Sequence, residues 1–519
     1  MSNRPADALF QLVKSLEKGE KRNFKLYVKR NSGAEDLKII QLFDALDRMS
    51  EYDEKVLLAK ARSIRKQQLS NLKAHLYRQI LSSLRLLKDE TNIDIYLHEQ
   101  MDHARILYNK GLYLQSLKVL DKLKETARSQ EQLTYLQQAL FFEKKIETLF
   151  ITRSMQDRAD QLQAESVQVN ERLSLVSRLS DLSLQLYSWY IRHGHARNEK
   201  DLQTIRRYFE KQLPVLPQGE KGFYERLYYY QCHTWYAFIR QEFLSYYRYS
   251  LKWVELFDQY PLLVRVETAS YIKAVHSLMS AEFMLLREDK LAVRIRQFEQ
   301  FIRQKQVQQN EIDRVLAYQY LYTARINLYF LQGRFTKGLR LVPFLEDMLQ
   351  QYGLYLDAHR VLVFYYKIAC LYFGSGNNEK AIDYLNRVIN QKGDLRTDLQ
   401  CYARLLHLIA HYELGNFDLL EYLIKSVYRY MAKMENLSKV EEEMFAFLRR
   451  SFHVGAHALK PEFEKLLIKL CKYEGNPLES RAFVYLDVIS WLESKISGVH
   501  VQDVIREKFE KGKSRKSRK

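Results

Sequence analysis

Apolar residues recur at helical spacing over the first 90 positions of the chain. In the stretch 65–88 they return every three or four residues, as on one face of an α-helix. The residues of this stripe are Leu69, Leu72, Leu76, Ile80, Leu84 and Leu87. Shorter stretches of the same kind predict helices near 6–18, 21–31, 36–49 and 53–61. We therefore expect residues 1–90 to form a small helical N-terminal domain.

A second pattern recurs through the rest of the chain: an aromatic-rich helical stretch, a short turn with glycine, and another amphipathic helix. It is clearest at Gly111, Gly333, Gly376 and Gly415. The best copy consists of Tyr365, Ala369, Tyr372, Gly376, Ala381, Leu385 and Val388. Weaker copies place turns near Arg153, Gly194, Gln241, Arg287 and Leu459. The turns then follow one another at steps of about 39 to 47 residues, which predicts a row of helical hairpins.

The spacing of the Gly333 and Gly376 copies resembles that of the tetratricopeptide (TPR-like) repeat superfamily. In that superfamily, small residues let paired helices approach closely and large residues fill the groove between hairpins. The steps in this chain exceed the 34 residues of a consensus repeat, so we expect longer helices or connections. The resemblance covers roughly residues 91–497. It implies an all-α fold, with an α-solenoid of about eight or nine degenerate TPR-like hairpins after the N-terminal domain.

The content of turn-forming residues agrees with a helical fold. The 519 residues include 17 glycines and 7 prolines, whereas average proteins carry about 7% glycine and about 5% proline. A β-sandwich needs a turn every 8–12 residues or so, and α/β enzymes need several glycine-rich turns. Both classes are disfavoured. The densest group of turn formers, Pro214, Pro217, Gly219 and Gly222, predicts a bend near 214–222.

The formal net charge of +19 is concentrated at the two ends of the chain. One segment holds nine bases and no acid: Lys55, Lys60, Arg62, Arg65, Lys66, Lys73, Arg78, Arg85 and Lys88. Such a segment attracts polyanions, although a solvated helix face is the alternative. The C-terminal residues 506–519 are also basic, and those from Gly512 onward have no apolar side chain. We expect 498–519 to be a helix end followed by a disordered basic tail.

A dense aromatic cluster follows the predicted bend. Its candidate partner-binding residues are Tyr228, Tyr229, Trp235, Tyr236, Arg240, Tyr246 and Tyr247. Tyrosine and tryptophan bury their rings while a polar group reaches water or a partner, so they suit a binding surface. The alternative is the hydrophobic seam between hairpins, because aromatics at helical spacing lie in the core more often than in a site.

Motifs that carry catalysis are missing from the sequence. There is no phosphate-binding GxxxxGK[ST] loop, no GxGxxG, no GxSxG and no HExxH. His407 and His411 have the i, i+4 spacing that zinc uses, as do His453 and His457, but no further residue has ligand-like spacing. We therefore expect packed histidines rather than a metal site, and we assign no catalytic residue, cofactor or metal.

These observations favour a non-enzymatic, cytoplasmic interaction scaffold. The N-terminus lacks the apolar core of a signal peptide, no apolar run reaches the roughly 20 residues of a membrane span, and the four cysteines form no CxxC. The resemblance implies that a partner protein or peptide binds the concave face of the solenoid. The alternative is a nucleic-acid-associated regulator in which residues 55–88 contact DNA or RNA and the solenoid senses a partner.

Overall fold

A computed structural model describes most of the chain. The described residues are 7–30, 34–61, 63–87, 92–149, 157–216, 221–352, 356, 358–391, 396–434, 437–451, 456–474, 479 and 487–516. All regular elements in these ranges are helices, so the fold is all-α, as the sequence predicts. The chain forms two compact units, Met1–Lys124 and Glu125–Lys519.

The first unit contains the five helices that the apolar spacing predicts for residues 1–90. They are α1 (Ala8–Ser15), α2 (Lys18–Arg30), α3 (Ala34–Asp47), α4 (Glu54–Lys60) and α5 (Lys66–Leu86). The unit also contains α6 (Ile93–Asn109) and the start of α7 (Tyr113–Ser129). Helix α5 packs against α1, α2 and α3. Its stripe residues Leu69, Leu76 and Ile80 are buried, and they share a core with Phe24 and Phe43.

The second unit is a longer row of helices. They are α8 (Leu133–Glu147), α9 (Arg158–His193), α10 (Glu199–Gln212), α11 (Phe223–Ile239), α12 (Phe243–Gln259), α13 (Leu263–Val266), α14 (Thr268–Met284), α15 (Glu288–Ile302), α16 (Lys305–Gln309), α17 (Glu311–Leu331), α18 (Phe335–Gly338), α19 (Val342–Gln351), α20 (Ala358–Gly374), α21 (Asn378–Ile389), α22 (Thr397–Glu413), α23 (Phe417–Lys433), α24 (Lys439–Ser451), α25 (Ala456–Cys471), α26 (Val488–Ser497) and α27 (Val501–Lys516). Most of these helices pack against near neighbours in the sequence, which is compatible with a helical repeat fold.

One backbone turn recurs between paired helices of this row. At Gly333 the φ angle is +59°, the amide of Gly333 donates to the carbonyl of Phe330, and the next amide donates to the carbonyl of Tyr329. These two bonds define a Schellman C-cap, which satisfies the last carbonyls of a helix. The same pair of bonds and a positive φ occur at Gln241, Leu286, Gly376 and Gly415. Two of the five turns are therefore made without glycine.

Several helices that precede these turns contact one another: α14 contacts α17, and both α17 and α22 contact α20. Helix α11 contacts α9. Two distant parts of the second unit are also in contact. Helix α22 contacts α9, although their contacting residues lie about 200 positions apart in the sequence. The second unit therefore has a long-range contact in addition to its local hairpins.

The C-terminal part differs from the expectations in two places. Leu459, near which the repeat step predicts a turn, lies inside α25. Pro461 lies in the same helix, more than one turn after Ala456, where it removes one helix hydrogen bond. The disordered tail was expected from Gly512, yet α27 continues through it to Lys516. The ion pair between Glu507 and Lys511 at i, i+4 supports the helix there.

Candidate functional site

The second unit contains a half-open cavity of about 1300 Å³. Most of its wall is built by six helices, α9, α11, α14, α17, α20 and α22, which we call the cavity-lining helices. Helix α12 adds Tyr246 and Trp253, and α15 adds Glu288 and Asp289. Helix α27 contributes Val501, Ile505 and Phe509 to one end of the same wall. Small-molecule pockets are concave and mostly apolar, with a few convergent polar groups, and typically measure about 300–1,000 Å³.

Helical spacing explains which side chains reach the cavity. On α20 they include Arg360, Val363, Lys367 and Cys370, at intervals of three and four residues. On α14 they include Lys273, His276, Ser280 and Phe283, and on α17 they include Tyr320, Thr323, Asn327 and Phe330. Such spacing places residues on a single helix face. Each of the three helices therefore presents one continuous stripe to the cavity.

Three basic side chains line the cavity: Lys273 on α14, and Arg360 and Lys367 on α20, two helices that both pack against α17. The ammonium of Lys367 donates to Asn327 Oδ1 at 2.5 Å and lies 5.5 Å from the ring centroid of Phe330. Arg360 donates to Gln319 Oε1 at 3.0 Å. Within the described residues, neither lysine forms an ion pair with a carboxylate. The charged groups of Arg360 and Lys367 therefore lie against side-chain amides and an aromatic ring.

Burial and mutual repulsion depress the basicity of these groups. Burial, together with the charge of Arg396, lowers the pKa of Lys367 to about 8, against the weaker opposing effect of Cys370. Burial and the charge of Arg360 also lower the pKa of Lys273. Burial and the charges of Arg360 and Lys367 lower the pKa of His276 to about 3. Arg360 and Lys367 therefore create a positive potential at His276.

Aromatic side chains form much of the remaining wall. The imidazole of His276 stacks on the ring of Tyr320, with centroids 3.7 Å apart. Trp235 lies 4.9 Å from Tyr187 by ring centroids. The indole of Trp253 also lines the cavity; it is only 3% exposed, and its Nε1–H has no hydrogen-bond partner. A buried donor without an acceptor is costly.

The long-range contact between α9 and α22 closes one side of the cavity. Arg396, just before α22, forms a bidentate ion pair with Asp398 at 2.8 and 2.9 Å. Its guanidinium also lies 5.0 Å from the ring centroid of Tyr190 on α9. Both Tyr190 and Arg396 line the cavity. The wall is therefore held together by a buried charge pair packed on a tyrosine.

Helix α27 covers the end of the cavity at which α17 and α20 terminate. Thr336 donates its hydroxyl hydrogen to Gln502 Oε1 at 2.9 Å, just after the Gly333 turn. A Cβ atom at Gly333 would lie 2.5 Å from the backbone nitrogen of Arg506. The close approach of α27 thus requires glycine at this turn. Lys273 and Arg360 lie in the first halves of their helices, away from this covered end.

The structure divides the predicted aromatic partner surface between two environments. Tyr228, Trp235 and Tyr246 line the cavity. The other four predicted residues do not line it. They are Tyr229, which contacts the ring of His233; Tyr236, stacked on Phe209; Arg240, which lies over the ring of Tyr236; and Tyr247, which lies under Arg287. The structure thus brings together three of the seven residues, and the others pack between helices.

The predicted basic segment lies on α4 and α5 of the first unit. Lys55, Lys60, Arg65, Lys66 and Arg78 are exposed. Lys73 instead binds Asp7 and donates to Tyr52 at 3.0 Å, and Arg85 pairs with Asp102 at 2.8 Å. Arg62 and Lys88 lie outside the described residues. Five of the nine bases are therefore exposed and form no ion pair within the described residues.

The histidine pair of α22 is packed, as expected. His407 and His411 are buried, with their Nε2 atoms 3.3 Å apart, and Asn416 Nδ2 lies 3.0 Å from His411 Nδ1. Burial lowers the pKa of His407 to about 4. Among the described residues no group of three or more histidine, cysteine or acidic side chains is arranged to hold a metal ion. His453 of the other pair lies outside the described residues.

The basic residues that line the cavity were not predicted from the sequence. A signal was present, because Lys273 and Lys367 lie within helices in which apolar residues predominate.

None of the described helices is long and apolar enough to cross a membrane. No protein-family model matches the chain. A comparison with curated proteins likewise gives no significant match.

Proposed function

We propose that the protein is a non-enzymatic, cytoplasmic interaction scaffold, a TPR-like α-solenoid that receives a partner segment on its concave face. The cavity-lining helices form that face. The observation that carries the proposal is that an amphipathic helix of the chain itself, α27, already lies against them. Helix-in-groove recognition uses apolar anchors at i, i+4 and i+8, and Val501, Ile505 and Phe509 have this spacing.

Polar contacts with α18 and α26 hold α27 beside this surface in addition to its apolar side chains. Gln502 accepts from the Thr336 hydroxyl, and Lys508 donates to Ser490 Oγ at 2.9 Å. Lys508 also pairs with Glu493 at 2.5 Å. Apolar anchors with flanking polar contacts are typical of peptide-binding grooves. A partner helix of similar pattern would find the same kinds of contact on the adjoining cavity wall.

The chemistry of the cavity supports a binding role rather than catalysis. The thiol of Cys370 lines the wall, and burial raises its pKa to about 12, so it is not a thiolate nucleophile at neutral pH. All four cysteines are free, which fits a reducing compartment. These features support the proposal of an intracellular binding protein without an active-site nucleophile.

Site-specific photo-crosslinking tests the scaffold proposal. A photoreactive phenylalanine replaces Tyr187, which lines the cavity, in the full-length protein, and the matched control carries it at Tyr422, which is 67% exposed on α23. In lysate of the source cells, we expect one reproducible adduct from position 187 and not from 422. Identical adducts at both positions, or none at 187, would count against the proposal.

A second candidate is nucleic-acid association through the first unit. The observation that favours it is the set of five exposed bases on α4 and α5 that form no ion pair in the described chain. Exposed bases bind phosphates with strong dependence on salt. In this alternative the second unit senses a partner while α4 and α5 contact DNA or RNA.

Gel-shift titration with duplex DNA and with RNA separates this candidate from the scaffold. One variant changes five bases to glutamine: Lys55, Lys60, Arg65, Lys66 and Arg78. The matched control changes five exposed bases of the second unit: Lys200, Lys380, Lys425, Arg429 and Lys433. Loss of binding in the first variant alone supports nucleic-acid association. Equal loss in both variants, or no binding by the wild type at low salt, rejects it.

A further inference from the structure

We propose that the cavity binds a small amphipathic anion, with an apolar body and a carboxylate or phosphate group held by Lys273, Arg360 and Lys367. This ligand site goes beyond the proposed partner binding and rests only on the cavity. The three bases belong to α14 and α20, which both pack against α17, and their side chains line the same cavity. The arrangement therefore defines a site for one ligand rather than a diffuse charged surface.

The surroundings of Lys367 are the strongest indication of an anionic ligand. Its ammonium contacts the amide oxygen of Asn327 and lies within 5.8 Å of the ring centroids of Phe283 and Phe330. A buried charge is costly unless it is paired, and within the described chain Lys367 forms no ion pair. An anion in the cavity would supply the missing countercharge. Lys273 is exposed, and Arg360 repels it more strongly than Glu267 attracts it.

The rest of the wall fits the apolar body of such a ligand. Next to Lys367, the wall is formed by Phe283, Phe330 and Val363. Trp253 adds a buried indole whose Nε1–H has no acceptor. The carboxylates of Asp181, Glu288, Asp289 and Asp487 also line the cavity, so we place the anionic group beside the three bases and the apolar body along the aromatic part of the wall. A free inorganic anion would leave the aromatic wall unfilled.

The covered end of the cavity explains why we infer a small ligand here. Helix α27 closes the end beside the Gly333 turn, and Arg396 with Tyr190 closes the side between α22 and α9. A small molecule fits inside these limits at the end bounded by Lys273 and Arg360. The inference holds whether or not a partner segment contacts the remaining wall.

Calorimetric titration of the full-length protein tests the inference with four probes: decanoate, monodecyl phosphate, 1-decanol and inorganic phosphate. We expect decanoate or monodecyl phosphate to bind at least 10-fold more tightly than decanol, because only the anions compensate the bases. Inorganic phosphate should bind at least 10-fold more weakly than the preferred amphiphile. Comparison of the two amphiphiles identifies the preferred anionic group.

Variants connect the binding to the named residues. Lys367→Met with Arg360→Gln should weaken binding of the preferred anion at least 10-fold and leave decanol binding unchanged. Lys425→Met, on the exposed ion pair of α23, is the matched control and should bind as the wild type does. A helical circular dichroism spectrum equal to that of the wild type shows that the double variant is folded.

Three results would overturn the inference: no binding of any amphiphile, equal affinity for decanol and the anions, or unchanged anion binding in the folded double variant. Each is independent of the photo-crosslinking result. The partner-binding proposal therefore survives if the ligand site fails, and the ligand site survives if no partner is captured.

Discussion

The guanidinium of Arg396 packs on the ring of Tyr190, 5.0 Å from its centroid, and joins α22 to α9 across about 200 residues of sequence. The same guanidinium forms the bidentate pair with Asp398, and both charged side chains are almost completely buried. Burial raises the pKa of Asp398, but the charge and hydrogen bonds of Arg396 outweigh it and hold the pKa at about 2. The contact that closes the cavity thus depends on a buried ion pair.

We predict that Arg396→Met lowers the free energy of unfolding by about 3–5 kcal/mol, because it leaves Asp398 buried without its partner. Hydrogen exchange at residues 186–196 should accelerate, since α9 loses its contact with α22. Arg396→Met with Asp398→Asn should recover most of the stability, because both charges are then absent. Unchanged exchange in the single variant would show that the pair does not hold the two helices together.

A second buried pair connects α9 to α11. Arg172 donates to Glu225 Oε1 at 2.5 Å and to Glu131 Oε2 at 2.7 Å, and the side chain of Glu225 is only 3% exposed. We predict that Arg172→Met costs about 3 kcal/mol in urea unfolding, because Glu225 keeps its charge in a buried position.

The matched control for this pair is Arg206→Met. Arg206 pairs with Glu210 at 2.8 Å on the exposed face of α10, where both side chains are more than half exposed. Exposed pairs contribute little to stability, so we expect no measurable change in the urea midpoint. If the Arg172 and Arg206 variants lose similar amounts of unfolding free energy, the buried pair contributes no more to stability than the exposed pair, and the prediction is wrong.

Local patterns in the sequence predict the helices and several turns well. The stripe from Leu69 to Ile80 predicts α5, and the glycines at 333 and 376 mark two turns, because helical spacing and left-handed caps are local properties. The turns near Gln241 and Arg287 were predicted from the repeat step alone. The structure places their positive φ at Gln241 and Leu286, where the Schellman bonds form without glycine.

Contacts between distant helices could not be predicted in this way. Lys273 and Lys367 lie almost 100 residues apart in the sequence, and Arg396 lies farther still from Tyr190. Helices such as α14 and α20 are apolar on most of their surface, so periodicity does not show which face meets the cavity. The many aromatic residues in and around α11 therefore led us to predict seven partner-binding residues, of which three line the cavity.

A pair of glycine substitutions separates backbone strain from docking of α27. Both Gly333 and Gly415 have positive φ, at +59° and +72°. Alanine at either position should cost about 1–2 kcal/mol, because Cβ disfavours this conformation. Only at Gly333 would the new Cβ meet the backbone of α27, at 2.5 Å from Arg506 N; at Gly415 the nearest atom is 3.9 Å away.

We therefore predict that Gly333→Ala releases α27 and that Gly415→Ala does not. Trypsin should cleave after Arg506 or Lys508 at least several-fold faster in the Gly333 variant than in the wild type. Thermal unfolding should shift to lower temperature in both variants. If both variants expose α27 to trypsin equally, close packing at the Gly333 turn is not what holds this helix.

The stacked pair of His276 and Tyr320 should make stability depend on pH. Burial and the nearby charges of Arg360 and Lys367 lower the pKa of His276 from an ordinary value near 6.5 to about 3. Between these values the unfolded chain binds a proton that the folded chain does not, so stability is complete above pH 6.5 and falls as the pH decreases toward 3. The loss from this one group amounts to roughly 2 kcal/mol at pH 5.

We predict that His276→Phe, which keeps an aromatic ring against Tyr320, reduces the loss of unfolding free energy between pH 7 and pH 5 by roughly 2 kcal/mol. Urea titrations at closely spaced pH values measure this slope. The control His98→Asn removes an exposed histidine of the first unit and should leave the slope of the wild type unchanged. Parallel pH profiles for the wild type and His276→Phe would mean that the folded protein protonates His276 as readily as the unfolded chain does. The positive potential assigned to the position of His276 would then be wrong.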